Sequence, residues 1–450
     1  MKKIIEDLYK LNRNLLGEGY DQALEYINKI IPLDIIEIPS GTKLETWTIP
    51  NEWIIRDAWV KIKNKKILDY KKEPLSLMVY SKPVHGIVDL KELKKHLFIS
   101  DEEPEAIPYA YNFYERDWNF CVTKNQIKEK IPDKCEGGIC VPDLKKIDPS
   151  VGKVKIEGFD YSPKYKDKLK EGNYEIFIDS EFKPGKLKIG VHTIKGKSDR
   201  EILLFAHLDH PHQANDNLSG VACLIDLAKQ IKCDHTIKII FCPETMGSIA
   251  YALTQNISKV DFVIAIDICG NDNTLLIQKA FNKFDRINYI AHEAIEELGV
   301  SYRKGDFRLL IGSDEYIFND PKIGIPGILL SRFPYSEYHT SKDTPEIIKE
   351  EMIKETQQFI LKMIEIYEKD YIPVRNFKGP LMRSAFGLQT RHKLLSRDTD
   401  YLIYDIDGKK YLSEIVLPLG LIFSYAYDFL EKLKKAGFIY GNSSPHISQK

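Results

Sequence analysis

The chain has 450 residues, more than one compact core usually holds, so two or three domains are expected. Hydrophobic residues make up 43% and charged residues 29%, the balance of an ordinary water-soluble globular protein. With 65 Lys+Arg against 66 Asp+Glu the charge nearly cancels, which removes any global reason to expect nucleic acid or an anionic membrane as main partner.

No run approaches the ~20 apolar residues that span a bilayer. The start, Met1-Lys2-Lys3-Ile4-Ile5-Glu6-Asp7, turns acidic at once and reads as no signal peptide. A cytoplasmic location is expected. Seven cysteines lack framework spacing, and Cys135 and Cys140 in KCEGGIC have no further ligands nearby for a zinc knuckle. Reduced thiols are expected.

Along the chain, Ile5, Leu8, Leu11, Leu15, Leu24 and Ile27 fall at helical spacings, broken by Gly17-Glu18-Gly19, and predict two short amphipathic helices. From Ile38, residues 44–62 and 75–88 alternate aromatic or β-branched residues with polar ones between turn signals, which predicts a β-rich unit with a helix over Leu90–His96. After Asn173 strands and helices alternate. Strands are expected at Tyr174–Ile178, Leu187–Val191, Glu201–Phe205, Thr236–Phe241, Phe262–Ile266 and Gly327–Leu330. Helices are expected at Ser219–Ile231, Met246–Thr254, Arg286–Leu298 and Pro345–Tyr367. That order argues for a three-layer α/β domain around a largely parallel or mixed sheet. Pro373–Pro380 reads as a linker to a last unit of short helices, for which a winged-helix-like fold is expected. The expected domains are 1–36 plus 125–372 (α/β), an inserted β-rich domain at 37–124, and 376–450.

Polar residues gather at the carboxyl ends of the predicted strands, the edge where an open α/β sheet binds ligands. Strand 201–205 runs into His207-Leu208-Asp209-His210-Pro211-His212 and then Asn215-Asp216-Asn217. Strand 236–241 runs into Pro243-Glu244-Thr245, strand 262–266 into Asp267, and His339 lies in Tyr338-His339-Thr340. A zinc-like ion needs imidazole nitrogens and carboxylate oxygens in a partly open shell. A carboxylate between two ions would hold them ~3.5–4 Å apart. A separate Glu can carry the proton between the attacking water and the leaving amine. Asp209, two residues after His207, can accept an imidazole N–H and fix its tautomer.

Six short stretches in this order resemble the M28-type zinc aminopeptidases: HLD at 207–209, ANDNLSG at 214–220, Glu244 before Thr245-Met246-Gly247, Asp267 after an apolar strand, Ser313-Asp314-Glu315 with Gly324-Ile325-Pro326, and Tyr338-His339-Thr340. With Pro39-Ser40-Gly41-Thr42, Ile107-Pro108-Tyr109 and a C-terminal helical unit, the chain resembles more narrowly the aminopeptidase-like proteins labelled as a domain of unknown function (DUF4910/DUF2172). The resemblance implies one or two Zn2+ ions bridged by Asp216, with His207 and Asp267 completing one site, His339 in the other, and Glu244 as general base. The chain departs from the pattern at Thr245, where these enzymes carry a second Glu that binds the His339 ion, and at Glu315, where they carry His. A hydroxyl is a poorer ligand than a carboxylate, so the second site is expected to be weaker, or to recruit Glu244 or His210.

Plainer roles exist for each residue. Asp216 with Ser219 fits a helix start, Asp267 a turn, Glu244 a helix N-terminus, and Asp314 with Glu315 a solvated loop. His210 and His212 fit orienting or substrate-facing positions. Ser40-Gly41-Thr42 and Tyr109–Trp118 are candidate lid segments, and Arg116 or Arg332 a candidate for a substrate carboxylate. Trp47, Trp53 and Trp59 read as core. Lys432, Lys434 and Lys435 read as a solvated helix face, so nucleic acid is not expected even with a winged-helix-like unit. Metal-dependent hydrolysis of an amide bond in a small peptide or related substrate is the leading expectation. Two others stand beside it: a binding or regulatory protein on a degraded peptidase domain, and an amidohydrolase acting on a modified sugar or peptidoglycan fragment. Assembly as a homo-oligomer stays open.

Overall fold

A computed structural model describes residues 1–100, 103–130, 165–388 and 393–442. Cys135 and Cys140 lie outside them. Contacts divide the chain into two compact units, residues 1–54 with 182–450, and residues 55–181.

The larger unit is built on an eight-stranded mixed sheet. Its strands are β1 (Asp34–Pro39), β2 (Lys186–Ile194), β3 (Glu201–His207), β4 (Thr236–Cys242), β5 (Val260–Ile266), β6 (Leu275–Gln278), β7 (Tyr302–Gly305) and β8 (Gly327–Ser331). They lie in the order β1-β2-β4-β3-β5-β8-β6-β7. The four central strands β4, β3, β5 and β8 run parallel, with Leu204 opposite both Ile239 and Ile264. Leu203, Leu204, Phe205, Ile239, Ile264 and Leu329 have no accessible surface, as expected for strands covered on both faces. Because these strands point the same way, the residues that follow them emerge along one edge.

Nine helices are relevant to the site and its support: α1 (Lys2–Tyr9), α2 (Glu18–Asn28), α3 (Leu218–Leu227), α4 (Met246–Thr254), α5 (Arg286–Leu298), α6 (Glu350–Lys369), α7 (Lys393–Asp405), α8 (Leu412–Leu419) and α9 (Phe423–Lys435). Helix α3 is apolar apart from Ser219 and Asp226, and Val221, Ala222, Leu224 and Ile225 are fully buried in the main core. Helix α6 is amphipathic and buries Ile353, Phe359, Ile360 and Met363. It starts at Glu350, after a 3-10 turn over Pro345–Ile347, five residues beyond the expected start.

Two differences from expectation concern boundaries. Strand β1 pairs antiparallel with β2, so 34–39 belongs to the main sheet. Residues 173–183, expected in the α/β domain, instead join 52–62, 65–69 and 84–89 in a four-stranded sheet that forms the frame of the second unit. There Trp59 stacks on Phe177 at 5.1 Å. The expected linker also opens as a strand, with Ile372–Arg375 pairing antiparallel to Ile439–Asn442. Leu402, Ile403, Leu412, Val416 and Leu430 of the C-terminal helices lie in the same core cluster as the main sheet. Asp370 fixes that junction by accepting from Arg286 Nε (2.8 Å), Ser413 N (2.9 Å) and Ser413 Oγ (2.8 Å). Among the described residues, no helix is long and apolar enough to cross a membrane.

Candidate metal centre

The polar edge begins where β3 ends in His207, whose side chain is shut off from solvent. Its Nδ1 lies 3.2 Å from Asp209 Oδ1, and its Nε2 lies 3.0 Å from Asp216 Oδ1 and 3.3 Å from Asp267 Oδ1. The other oxygen of Asp216 lies 2.9 Å from His339 Nε2. One carboxylate thus has an imidazole nitrogen against each of its two oxygens. The structure also brings His210 in, with Nδ1 3.3 Å from Asp216 Oδ1 and Nε2 3.5 Å from Glu244 Oε2.

Local sequence explains how the loops hold these positions. Asn217 caps α3 by accepting from Gly220 N at 3.1 Å, and its side chain also donates to Ile266 O (2.7 Å) and accepts from Ile268 N (3.2 Å). Asn215 Oδ1 accepts from Gly270 N at 2.8 Å. These side chains stitch the loop of Asp216 to the end of the strand that carries Asp267. A Cβ at Gly220 would come within 2.4 Å of Asn217 Oδ1 and 2.7 Å of Ile266 O, so only glycine allows this approach. Asp343 accepts from Asn215 N (2.7 Å), Asp216 N (3.1 Å) and Tyr335 Oη (2.7 Å). Neither Asp343 nor Arg13, which reaches the loop from the N-terminal segment, was among the sequence candidates. The Asp in the run after His339 was the available signal for the first.

Backbone strain concentrates here. His210, His212, Thr245, Ile268 and His339 all have φ between 51° and 66°. For β-branched Thr and Ile this left-handed conformation is costly, and such residues persist where surrounding contacts over-determine them. Thr245 N donates to Asp314 Oδ1 at 2.9 Å, and Glu244 N donates to Asp209 Oδ1 at 2.9 Å.

The donor set fits a cation. His207 Nε2, Asp216 Oδ2 and Asp267 Oδ1 are buried without a hydrogen-bond partner, although other polar atoms stand 2.9–3.3 Å away. Each such atom would cost about 1–3 kcal/mol if left unsatisfied. A divalent ion accepting their lone pairs removes that cost. Among the described residues, two groups at this edge have all their ligand atoms within 4.8 Å of one another: His207, His210 and Asp216, and His207, Glu244 and Asp267. His207 is common to both.

Electrostatics follow the same pattern. Burial opposes protonation of His207, but Asp267, Asp209 and Asp216 outweigh it and hold its pKa well above the ordinary value. Burial likewise opposes ionisation of Asp216, and His210, His207 and His339 outweigh it, holding the carboxyl well below its usual range. Glu244 is pushed well up by burial and by Asp267, Asp216 and Asp209, against the pull of His207. About a quarter of its side chain stays accessible, the only one of these three groups that faces the opening.

Other sequence candidates take different places. Burial pushes Asp314 up to about 6 and Glu315 up to about 8. Glu315 turns back to accept from Ser313 N at 3.0 Å. His212 packs edge-on to Tyr9 at 5.9 Å, and burial together with Arg13 lowers it to about 4. Arg332, expected as a substrate contact, is 1% exposed and donates to Met352 O (3.2 Å), Glu355 Oε1 (2.8 Å) and Asn273 O (2.5 Å). Burial against α6 commits it to support, which corrects that expectation. Arg116 belongs to the second unit.

The chain is 29% identical over 454 residues to a Clostridium acetobutylicum protein described as "Putative polysaccharide biosynthesis protein with aminopeptidase-like domain", covering 96% of this chain and 94% of that one. A solved structure of a "putative peptidase" from Clostridium acetobutylicum matches with TM-score 0.75 and 26% identity, covering 98% of this chain and 96% of the other. A zinc aminopeptidase from Bacillus subtilis matches with TM-score 0.54 and 13% identity over 81% of this chain and 93% of the other, a likeness of fold. The α/β architecture is therefore aminopeptidase-like. The family model described as "Domain of unknown function (DUF4910)" matches residues 2–370, and the chain belongs to that family.

Proposed function

We propose that this protein is a zinc-dependent, aminopeptidase-like hydrolase that cleaves amide bonds. The observation that carries the reading is that buried His207 Nε2 lies 3.0 Å from Asp216 Oδ1 and 3.3 Å from Asp267 Oδ1, with Glu244 3.5 Å from His210 on the more accessible side. His207, Asp216 and Asp267 would hold one ion, and Asp216 with His339 would hold a second, with His210 a candidate in place of the carboxylate missing at Thr245. A bound zinc ion supplies a polarised substrate carbonyl and a more acidic attacking water.

The chain's own residues do the rest. Asp209 orients the His207 ring through Nδ1 and pins the backbone of Glu244. Glu244, about a quarter accessible and beside His210, would take the proton from the attacking water at its carboxylate and return it to the leaving nitrogen. Strained loops fix these groups before substrate arrives, which reduces the reorganisation needed in the reaction.

The test is metal analysis of protein purified without chelator, followed by assays on aminoacyl and acylamino substrates with added zinc. Bound zinc near one to two equivalents and metal-dependent turnover are expected. Absence of both overturns the reading.

A second reading keeps the chemistry and moves the substrate. The Clostridium acetobutylicum relative pairs an aminopeptidase-like domain with polysaccharide biosynthesis in its description, which favours an amide on a modified sugar. A third, a peptidase-fold binding protein, is favoured by Thr245, whose neutral side chain stands where a ligand is expected. Release of acid from N-acyl amino sugars but not from peptides would select the second. An unaltered cellular phenotype in a Glu244→Gln strain would select the third.

A further inference from the structure

Away from the metal centre, β6, β7, α5 and Leu417 of α8 enclose a pocket of about 380 Å³. It lies at the opposite edge of the sheet. Strand β6 runs antiparallel to β8, pairing Leu276 with Ser331 and Gln278 with Leu329, so Lys279 follows on towards the amino end of β8. The loop of His339 leaves the other end.

The parallel register of β6 and β7 sets Ile277 opposite Lys304. Side chains alternate along a strand, so Tyr302, Lys304, Ile277 and, two residues on, Lys279 share one face. Two lysines are thereby held side by side over an apolar floor, and Lys283 adds a third from the turn before α5. Like charges so placed repel. Asp306 lies 3.5 Å from Lys279 and is itself 81% exposed. Glu296 is engaged by Tyr302 Oη at 2.7 Å and lies 3.6 Å from His292 Nδ1. Among the described residues, Lys283 and Lys304 have no ion-pair partner. Lys304 Nζ sits 3.4 Å from His292 Nδ1. Burial first, then Lys304, lower the pKa of that histidine, so it stays neutral and able to accept.

The walls are aromatic. Tyr289 and Tyr302 line the pocket, and Phe284, 67% exposed, stands at its mouth with Lys283 Nζ 5.1 Å from the ring centroid. An exposed phenylalanine beside uncompensated lysines matches a ligand with a flat ring and a compact multiple negative charge. With Lys279 already near Asp306, Lys283 and Lys304 leave two charges to balance; a carboxylate brings one, whereas a phosphate monoester brings close to two.

We propose that this pocket binds a ring-bearing organic phosphate of nucleotide type, the ring against Phe284 and the tyrosines and the phosphate among Lys279, Lys283 and Lys304. The volume falls in the range of small-molecule sites, and exposed aromatic side chains serve as platforms on which a base stacks.

Titration calorimetry of the full chain with adenosine monophosphate, adenosine and inorganic phosphate tests this. The nucleotide is expected to bind at least ten times more tightly than either fragment, with affinity falling on added salt. Lys279→Glu/Lys304→Glu should weaken it tenfold or more and Phe284→Ala about threefold. Lys283→Glu, on an exposed turn, repeats the charge test in a variant that leaves the sheet untouched. No heat with the nucleotide, phosphate binding as tightly as the nucleotide, or unchanged affinity in Lys283→Glu and the double variant would each overturn the proposal.

Discussion

Arg13 Nη1 donates to the carbonyl of Asp209 at 2.7 Å, and it does so from a fully buried side chain. The same guanidinium donates to Leu208 O (2.6 Å), His210 O (2.8 Å), Gln213 O (2.9 Å) and, through Nε, Leu8 O (3.2 Å). A planar fork of five donors matches a loop whose carbonyls turn inward, a geometry lysine cannot reproduce. The loop it holds carries Asp209 and the strained His210. Arg13→Gln should therefore cost about 2–4 kcal/mol of stability, through lost charged hydrogen bonds and carbonyls left buried. It should also weaken zinc binding by more than tenfold. Urea unfolding of the metal-free protein gives the first value and chelator competition the second. Unchanged zinc affinity with reduced stability would confine Arg13 to a purely structural role.

Glu244→Gln separates chemistry from binding. The amide keeps the shape and removes the proton carrier, so turnover should fall about 10²–10⁴-fold. Zinc content should stay within the wild-type range, because His207, Asp216 and Asp267 are untouched. A loss of zinc parallel to the loss of rate would mark Glu244 as a ligand, in line with its place beside His207 and Asp267.

Thr245 offers the converse experiment. Its backbone is fixed by Asp314, and its side chain stands where the resemblance expects a carboxylate. Thr245→Glu should raise the bound metal towards two equivalents and tighten the weaker site. Metal titration followed by elemental analysis reads this directly. A stoichiometry that stays at the wild-type value would show that His210 already fills the position.

Much of the site edge was legible because strand ends carry its residues. Thr236–Cys242 and Val260–Ile266 are apolar β-branched runs, and a parallel central sheet makes their carboxyl ends converge. The helices Met246–Thr254 and Arg286–Leu298 fall on the expected bounds. What sequence could not supply was long-range pairing. Strands β6 and β7 are four residues each, so their pattern is too short to separate from loop. Tyr174–Ile178 reads as a strand, but nothing local says that Tyr174 pairs with Val88 in the second unit. Arg13 was hidden for a related reason. Its role is a contact across 196 positions with Asp209, and periodicity carries no information at that separation.

Glu293 makes a pH dependence that is independent of the metal. It sits on α5, 3% exposed, and burial followed by Glu297, Glu296 and Asp370 pushes its carboxyl up to about 8. In the unfolded chain the same group ionises near its ordinary value of 4.5. Between those two pH values the folded state holds one proton more than the unfolded state, so stability falls as pH rises and levels off above about 8. The loss should be roughly 1–3 kcal/mol after relaxation and solvent screening. Glu293→Gln keeps a neutral side chain at every pH and should flatten that slope, leaving the variant more stable than wild type at pH 8.5 and little changed at pH 4.5. Denaturant unfolding of the metal-free protein at both pH values checks the sign. A variant destabilised equally at both would mean that the carboxyl is ionised in the fold and held by partners rather than disfavoured by burial.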